Sequence, residues 1–280
     1  MKNTALLLTV GVLGASHAFA GFKTLEPSYL SATADADFTF EAIMTVGDRV
    51  ALAGGAPGDE YAMVGIPDAM GIYRDRRTQE RILFVAHELT SGSTTEPIKG
   101  EEQYKGAFVS RFVLDADGSV VDGAPAHQEL YLESVFYSPE PPKASDGAAF
   151  TRFCSGSFAG PQHGMDRPIF LTNEESGSGN FDSAGSQVVA VMDGRMHTLP
   201  ALGRVARETT IVMPRRDQFT TVLMSEDGGA SYLYMYVGKK ERRGGDAIVK
   251  NGLTGGDIYV LAGAGADAGK DEATFTDCII

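Results

Sequence analysis

The residues with most chemistry to offer are acids at the ends of apolar strands. Glu174 and Glu175 close the run Ile169, Phe170, Leu171 in RPIFLTNEESGSG, and Glu226 with Asp227 closes TVLMSEDGGAS in the same way. A third run, ILFVAHELTSG, ends on His87 and Glu88. Each is followed by a small-residue turn and then a strand pair: GAFVSRFVL, GSQVVAVMD and GASYLYMYV. One such acid pair is an ordinary solvated strand end. Repeated at equivalent ends of successive β units, the pairs meet in space and repel one another unless a cation neutralises them. The pattern therefore predicts a metal centre. Hard carboxylate oxygens suit Ca²⁺, and also Fe³⁺ or Mg²⁺, while His87 adds a nitrogen ligand or a general acid/base.

Two further stretches carry reactive groups. In TRFCSGSFAG, Cys154 precedes Ser155 and Gly156, so the backbone can turn sharply beside its thiol. A metal ligand, a disulfide to Cys278 and an inert buried thiol are equally compatible with the spacing. The stretch lacks the Gly-x-Ser-x-Gly pentapeptide of a hydrolase elbow. In ALGRVARETTIV, Arg204, Arg207 and Glu208 sit between a glycine turn and a β-run. An arginine near an acid cluster binds phosphate oxygens bidentately, whereas a surface ion pair is the plainer alternative. His163 reads as loop filler, and His127 and His197 as exposed hairpin residues. The DADG turn at Asp115 to Gly118 lacks the remaining ligands of a helix-loop-helix calcium site.

The elements that must position these groups are short strands. Glycine is abundant, at 34 of 280 residues, and helical periodicity is scarce. FVSRFVLDADGSVVDG and SQVVAVMDGRMHTL read as hairpins with turns at Asp115–Gly118 and Asp193–Gly194. In ASYLYMYVGKK, tyrosines alternate with Leu233, Met235 and Val237. A unit of several antiparallel strands, with 52 residues separating Glu174 from Glu226, matches a propeller blade. The 87 residues between His87 and Glu174 leave room for a degenerate extra unit. In such a fold the first strand of every blade lines the channel, so the acid-ended strands are expected to converge at one mouth.

Residues 1–20 combine one lysine, an apolar stretch and the triplet Ala18, Phe19, Ala20, the pattern of a secretory signal peptide cleaved after Ala20. The apolar stretch is too short for a membrane span. The expected mature unit, residues 21–280, is one domain in the secreted or periplasmic space. A net charge of −13 opposes nucleic acid or an anionic membrane surface as a partner, and a monomer is the simpler expectation.

Taken in order, YAMVGIPDAMGIYRD, ILFVAHELTSG, RFCSGS, IFLTNEES, LPALGRVARETTIV and VLMSEDGGASYLYMYVGKK resemble the PhoX-type alkaline phosphatase family, once classed only as a domain of unknown function. The likeness runs from about Tyr61 to Lys240. It implies a six-bladed β-propeller, incomplete at this chain length, whose mouth holds ferric iron and calcium and hydrolyses phosphomonoester small molecules. Carried over by motif, Cys154, Glu174, Glu175, Glu208 and Asp227 are implied cluster ligands and Arg204 the phosphate binder, with Arg207 its neighbour. His87 and Glu88 fall on the family's Asn-His-Glu element, with Ala86 in place of its Asn; Ala206, Arg207 and Glu208 replace a His-Glu element. Two other classes of function stay open: a calcium-stabilised binding or scaffolding propeller without catalysis, and a calcium-dependent propeller hydrolase of phytase or lactonase type.

Overall fold

The computed structural model describes residues 21–228, 231–241, 243, 245–263 and 278–279. The expected signal peptide lies outside them. The fold is all-β; the one α-helix among the described residues is the four-residue Ala247–Lys250, capped by Asp246.

Three antiparallel meanders of four strands, the sheet unit of a β-propeller, follow one another along the chain. A two-stranded ladder, β1 (Arg49–Ala51) and β2 (Glu60–Ala62), precedes them. The first blade is β3 (Pro67–Arg74), β4 (Arg81–His87), β7 (Val109–Leu114) and β8 (Val120–Pro125). Within it, the short ladder β5 (Thr94–Thr95) and β6 (Tyr104–Lys105) decorates the β4–β7 connection. A hairpin, β9 (Glu129–Leu132) and β10 (Val135–Ser138), comes next. The second blade is β11 (Phe153–Ala159), β12 (Ile169–Glu174), β13 (Val188–Met192) and β14 (Arg195–Thr198). The third is β15 (Arg207–Val212), β16 (Phe219–Glu226), β17 (Leu233–Lys239) and β18 (Asp257–Val260). A last pair, β19 (Ala262–Gly263) and β20 (Cys278–Ile279), ends the described chain.

Both expected hairpins form, β7–β8 and β13–β14. Asp193 and Gly194 take φ of 49° and 72°, the left-handed pair that a two-residue turn requires. The long gap between His87 and Glu174 holds no degenerate blade. It is filled by β5–β6 and by the β9–β10 hairpin, whose β9 lies parallel on β14 and widens the second sheet to six strands. The acid-ended strands β4, β12 and β16 are each the second strand of their blade, not the first. The first strands β3, β11 and β15 lie side by side, with β11 between the other two.

Strand alternation builds the core. On β12, Phe170 joins Ile82, Phe84, Val189 and Val191 between blades one and two, while its neighbours Ile169 and Leu171 join Val188, Ala190, Val222 and Met224 between blades two and three. A strand buried on both faces needs apolar residues at every position, which is why IFL is unbroken. The far face of blade one is covered by Val50, Tyr61 and Met63.

Gly156 marks a close approach of the first two blades. A methyl group there would stand 2.8 Å from the Leu171 carbonyl oxygen, 2.9 Å from Ala69 Cβ and 2.9 Å from the Phe170 ring. Gly156→Ala is therefore expected to cost about 1–3 kcal/mol by overpacking, read as a lowered urea midpoint at unchanged slope.

Candidate metal centre

The three blades repeat one local construction. Pro67 pairs with His87, Phe153 with Glu174 and Arg207 with Glu226. One residue further on, each first strand presents Asp68, Cys154 or Glu208, and each second strand Glu88, Glu175 or Asp227. The carbonyl just before each pair is the anchor: Ile66 O accepts from Glu88 N at 2.9 Å, Arg152 O from Glu175 N at 3.0 Å, and Ala206 O from Asp227 N at 3.1 Å. Immediately afterwards all three first strands slip register, between Pro67 and Met70, Phe153 and Gly156, and Arg207 and Thr209. Such bulges turn a side chain out of the sheet plane. Ile66 and Arg152 hold φ of 48° and 51°, a conformation that costs a β-branched residue energy and concentrates at functional sites.

These six side chains gather into two adjoining trios, Asp68 with Glu88 and Cys154, and Glu175 with Glu208 and Asp227. Within each, one ligand atom per residue lies within 4.8 Å of the others. The trios are linked. The Cys154 thiol donates to Asp68 Oδ2 at 3.4 Å and lies beside the Glu175 carboxylate. Burial, reinforced by these two carboxylates, raises the thiol's pKa far above the ordinary range; burial likewise raises that of Glu175. Cys154 is unbridged.

Arg152 sets a guanidinium into this acid surface. Its Nη2 lies 2.6 Å from Glu88 Oε1 and 3.7 Å from Glu175 Oε2, and its Nε donates to Glu88 Oε1 at 2.8 Å. It thus spans both trios. Asn173 braces the third blade: its Nδ2 donates to Arg207 O at 2.7 Å, next to Glu208.

Of the residues expected to meet, the structure brings together Cys154, Glu88, Glu175, Glu208 and Asp227. It does not bring in those one step earlier: His87 and Glu174 are buried and Glu226 is half-buried. Glu174 is fully buried, and its carboxylate accepts from the backbone N–H of Thr151, Phe181 and Gln187 at 2.8–3.0 Å. Burial lifts its pKa to about 7. Glu226 accepts from Tyr234 Oη at 2.9 Å. His87 is buried against Ser110 Oγ, 2.8 Å away, and the Gly65 carbonyl, and burial lowers its pKa to about 4. Arg207 is buried, donates to Leu202 O and lies over the Tyr234 ring at 4.7 Å. Arg204 pairs with Asp182 at 3.0 Å. Neither arginine contacts a trio. Asp68 and Arg152 are the members that the strand-end pattern does not reveal. Spacing does hold a signal, since first-strand and second-strand ligands lie 20, 21 and 19 residues apart in the three blades.

Two histidines expected on exposed hairpins are buried, His127 and His197. His197 Nδ1 is 2.7 Å from the Glu133 carbonyl, whereas both ring nitrogens of His127 lack a partner. Burial lowers the His127 pKa to about 3. The unfolded chain then binds the extra proton from about pH 6.5 downwards while the folded chain resists it until about pH 3, so stability falls on acidification across that window. His127→Leu is expected to flatten this slope in urea titrations, and to add about 1 kcal/mol at pH 7 by removing two unsatisfied polar atoms.

No protein-family model matches the chain, and no curated protein matches it. Among solved structures, Pseudomonas fluorescens PhoX in complex with vanadate, a transition state analogue, is similar at 15% identity with a TM-score of 0.48. The alignment covers 79% of this chain and 51% of that one, so the chain spans about half the length of that structure.

Proposed function

We propose that this protein is an exported phosphomonoesterase whose two trios hold a small cluster of cations, calcium with or without ferric iron. The observation that carries the reading is the threefold repeat, in which each blade delivers one first-strand and one second-strand ligand to the two trios.

The donor set fits such ions. Five carboxylates supply hard oxygens for Ca²⁺, and one thiol adds a softer donor suited to iron. Glu175 Oε2 is buried with no hydrogen-bond partner, a cost that a bound cation removes. Asp68, Glu88 and Cys154 would hold one part of the cluster, and Glu175, Glu208 and Asp227 the other. When bound, the cations supply Lewis-acid polarisation of the phosphoryl group and an ionised water at neutral pH. The chain's own part is positional. The paired strand ends and their bulges fix the carboxylates on a rigid sheet. Arg152, exposed on its outer side, offers planar N–H donors to phosphoryl oxygens once the cations occupy its acid partners. No helix among the described residues is long and apolar enough to cross a membrane.

The test is phosphate release from p-nitrophenyl phosphate by the full chain with Ca²⁺ and iron supplied. Activity is expected with the ions, and its loss with a chelator. A folded, metal-loaded protein that releases no phosphate from simple monoesters defeats the reading.

A further inference from the structure

The second strand of each blade turns one face toward the blade that follows. Three residues before the strand ends His87, Glu174 and Glu226 stand Phe84, Leu171 and Leu223. In blade one, Phe84 stacks on Phe170 of blade two with ring centroids 5.5 Å apart. In blade two, Leu171 shares an apolar cluster with Val222 and Met224 of blade three. Leu223 holds the same position in blade three, yet it stays partly exposed and joins no apolar cluster among the described residues.

Its neighbours across the sheet are bare as well. Leu223 pairs with Ile211 on one side and with Met235 on the other, and Met235 pairs with Tyr259. Directly opposed residues share a face, so this row crosses all four strands on the side turned away from blade two. Ile211 and Tyr259 are 47% and 44% exposed. Leu233 and Val237, two residues to either side of Met235, extend the face along β17. Charges stand at the margin, with Lys239 at the end of β17 and Asp257 at the start of β18. An uncharged centre inside a charged rim is the anatomy of a protein interface, and contiguous apolar patches of this kind mark interaction surfaces.

We propose that this face is covered by the same face of a second copy, in a two-fold symmetric dimer that packs blade three on blade three. A second copy brings a matching face, apolar and four strands wide. The other end of the blade series is already closed, because Val50, Tyr61 and Met63 cover the far face of blade one. A head-to-tail stack of copies therefore has no receiving surface, and the isologous pairing is the one that closes. Two such sheets pack about 10 Å apart with their strands at roughly 30°, which sets Leu223 and Met235 of the central strands beside the axis. The uncharged centre keeps the net charge of −13 on each copy away from the contact.

Sedimentation equilibrium of the full chain over a range of concentrations is the test. A reversible monomer–dimer equilibrium is expected, tighter in about 1 M than in about 0.1 M sodium chloride, because salt screens the repulsion between two acidic copies and leaves an apolar contact intact. Ile211→Lys and Tyr259→Lys should each weaken association by about 100-fold, since the symmetry buries every substituted charge twice. Both positions are exposed in the single copy, so these variants keep the fold. Ile72→Lys, at a site on β3 of blade one that is 52% exposed, should leave the dimer unchanged. A monomer at every concentration, a dimer indifferent to both face variants, or one lost equally in Ile72→Lys would overturn the proposal.

Discussion

Glu175→Gln is expected to abolish tight Ca²⁺ binding and to lower kcat/KM for p-nitrophenyl phosphate by about 10³-fold, roughly 4 kcal/mol of transition-state stabilisation. Glu175 is where the two trios touch. It carries the buried oxygen that lacks a hydrogen bond, lies next to Cys154, and groups with Glu208 and Asp227. An amide of the same shape keeps the packing but removes the charge and half of the acceptor capacity. The fold should survive, because Glu175's backbone N–H to Arg152 O, at 3.0 Å, is untouched by the change. Calorimetric Ca²⁺ titration reads the first effect and initial rates the second. Glu174→Gln separates register from charge. It leaves both trios intact but sets an NH₂ against one of three backbone donors, so its expected effect is on stability, not on cation affinity.

Arg152→Ala is expected to act in two directions. The guanidinium sits on Glu88 and near Glu175, where it competes with incoming cations. Removing a like charge a few ångströms from the site should tighten Ca²⁺ by about tenfold, given the effective dielectric of a partly exposed pair. The same change removes the proposed phosphoryl clamp, so KM should rise while Ca²⁺ affinity improves. Arg152→Lys keeps the charge without the planar fork; it should restore wild-type Ca²⁺ affinity but not the KM. A residue with only a structural role would move both constants the same way.

The sequence made the strand ends legible and left their register hidden. That acids recur after apolar runs can be read directly, and so can the hairpins at Asp115–Gly118 and Asp193–Gly194. Which member of each acid pair faces the mouth depends on a period of two counted from a partner strand, and a one-residue step exchanges the faces. Glu174 and Glu175 look alike in a string, yet one is buried on three backbone N–H groups and the other joins the cluster. Asp68 was hidden because its strand begins with Pro67 and carries no acid run. Arg152 was hidden because its placement follows from a left-handed backbone, at φ 51°, that nothing in its neighbours announces. The burial of His127 is a tertiary fact with no local signature.

The proposed centre sets six side chains from three blades around shared cations. Anomalous diffraction from crystals grown with Ca²⁺ and iron tests it most directly. Peaks are expected inside both trios, one within bonding distance of Cys154 Sγ, with Arg152 displaced from Glu88. Empty trios with Arg152 still seated on Glu88, under conditions where the ions are abundant, would contradict it.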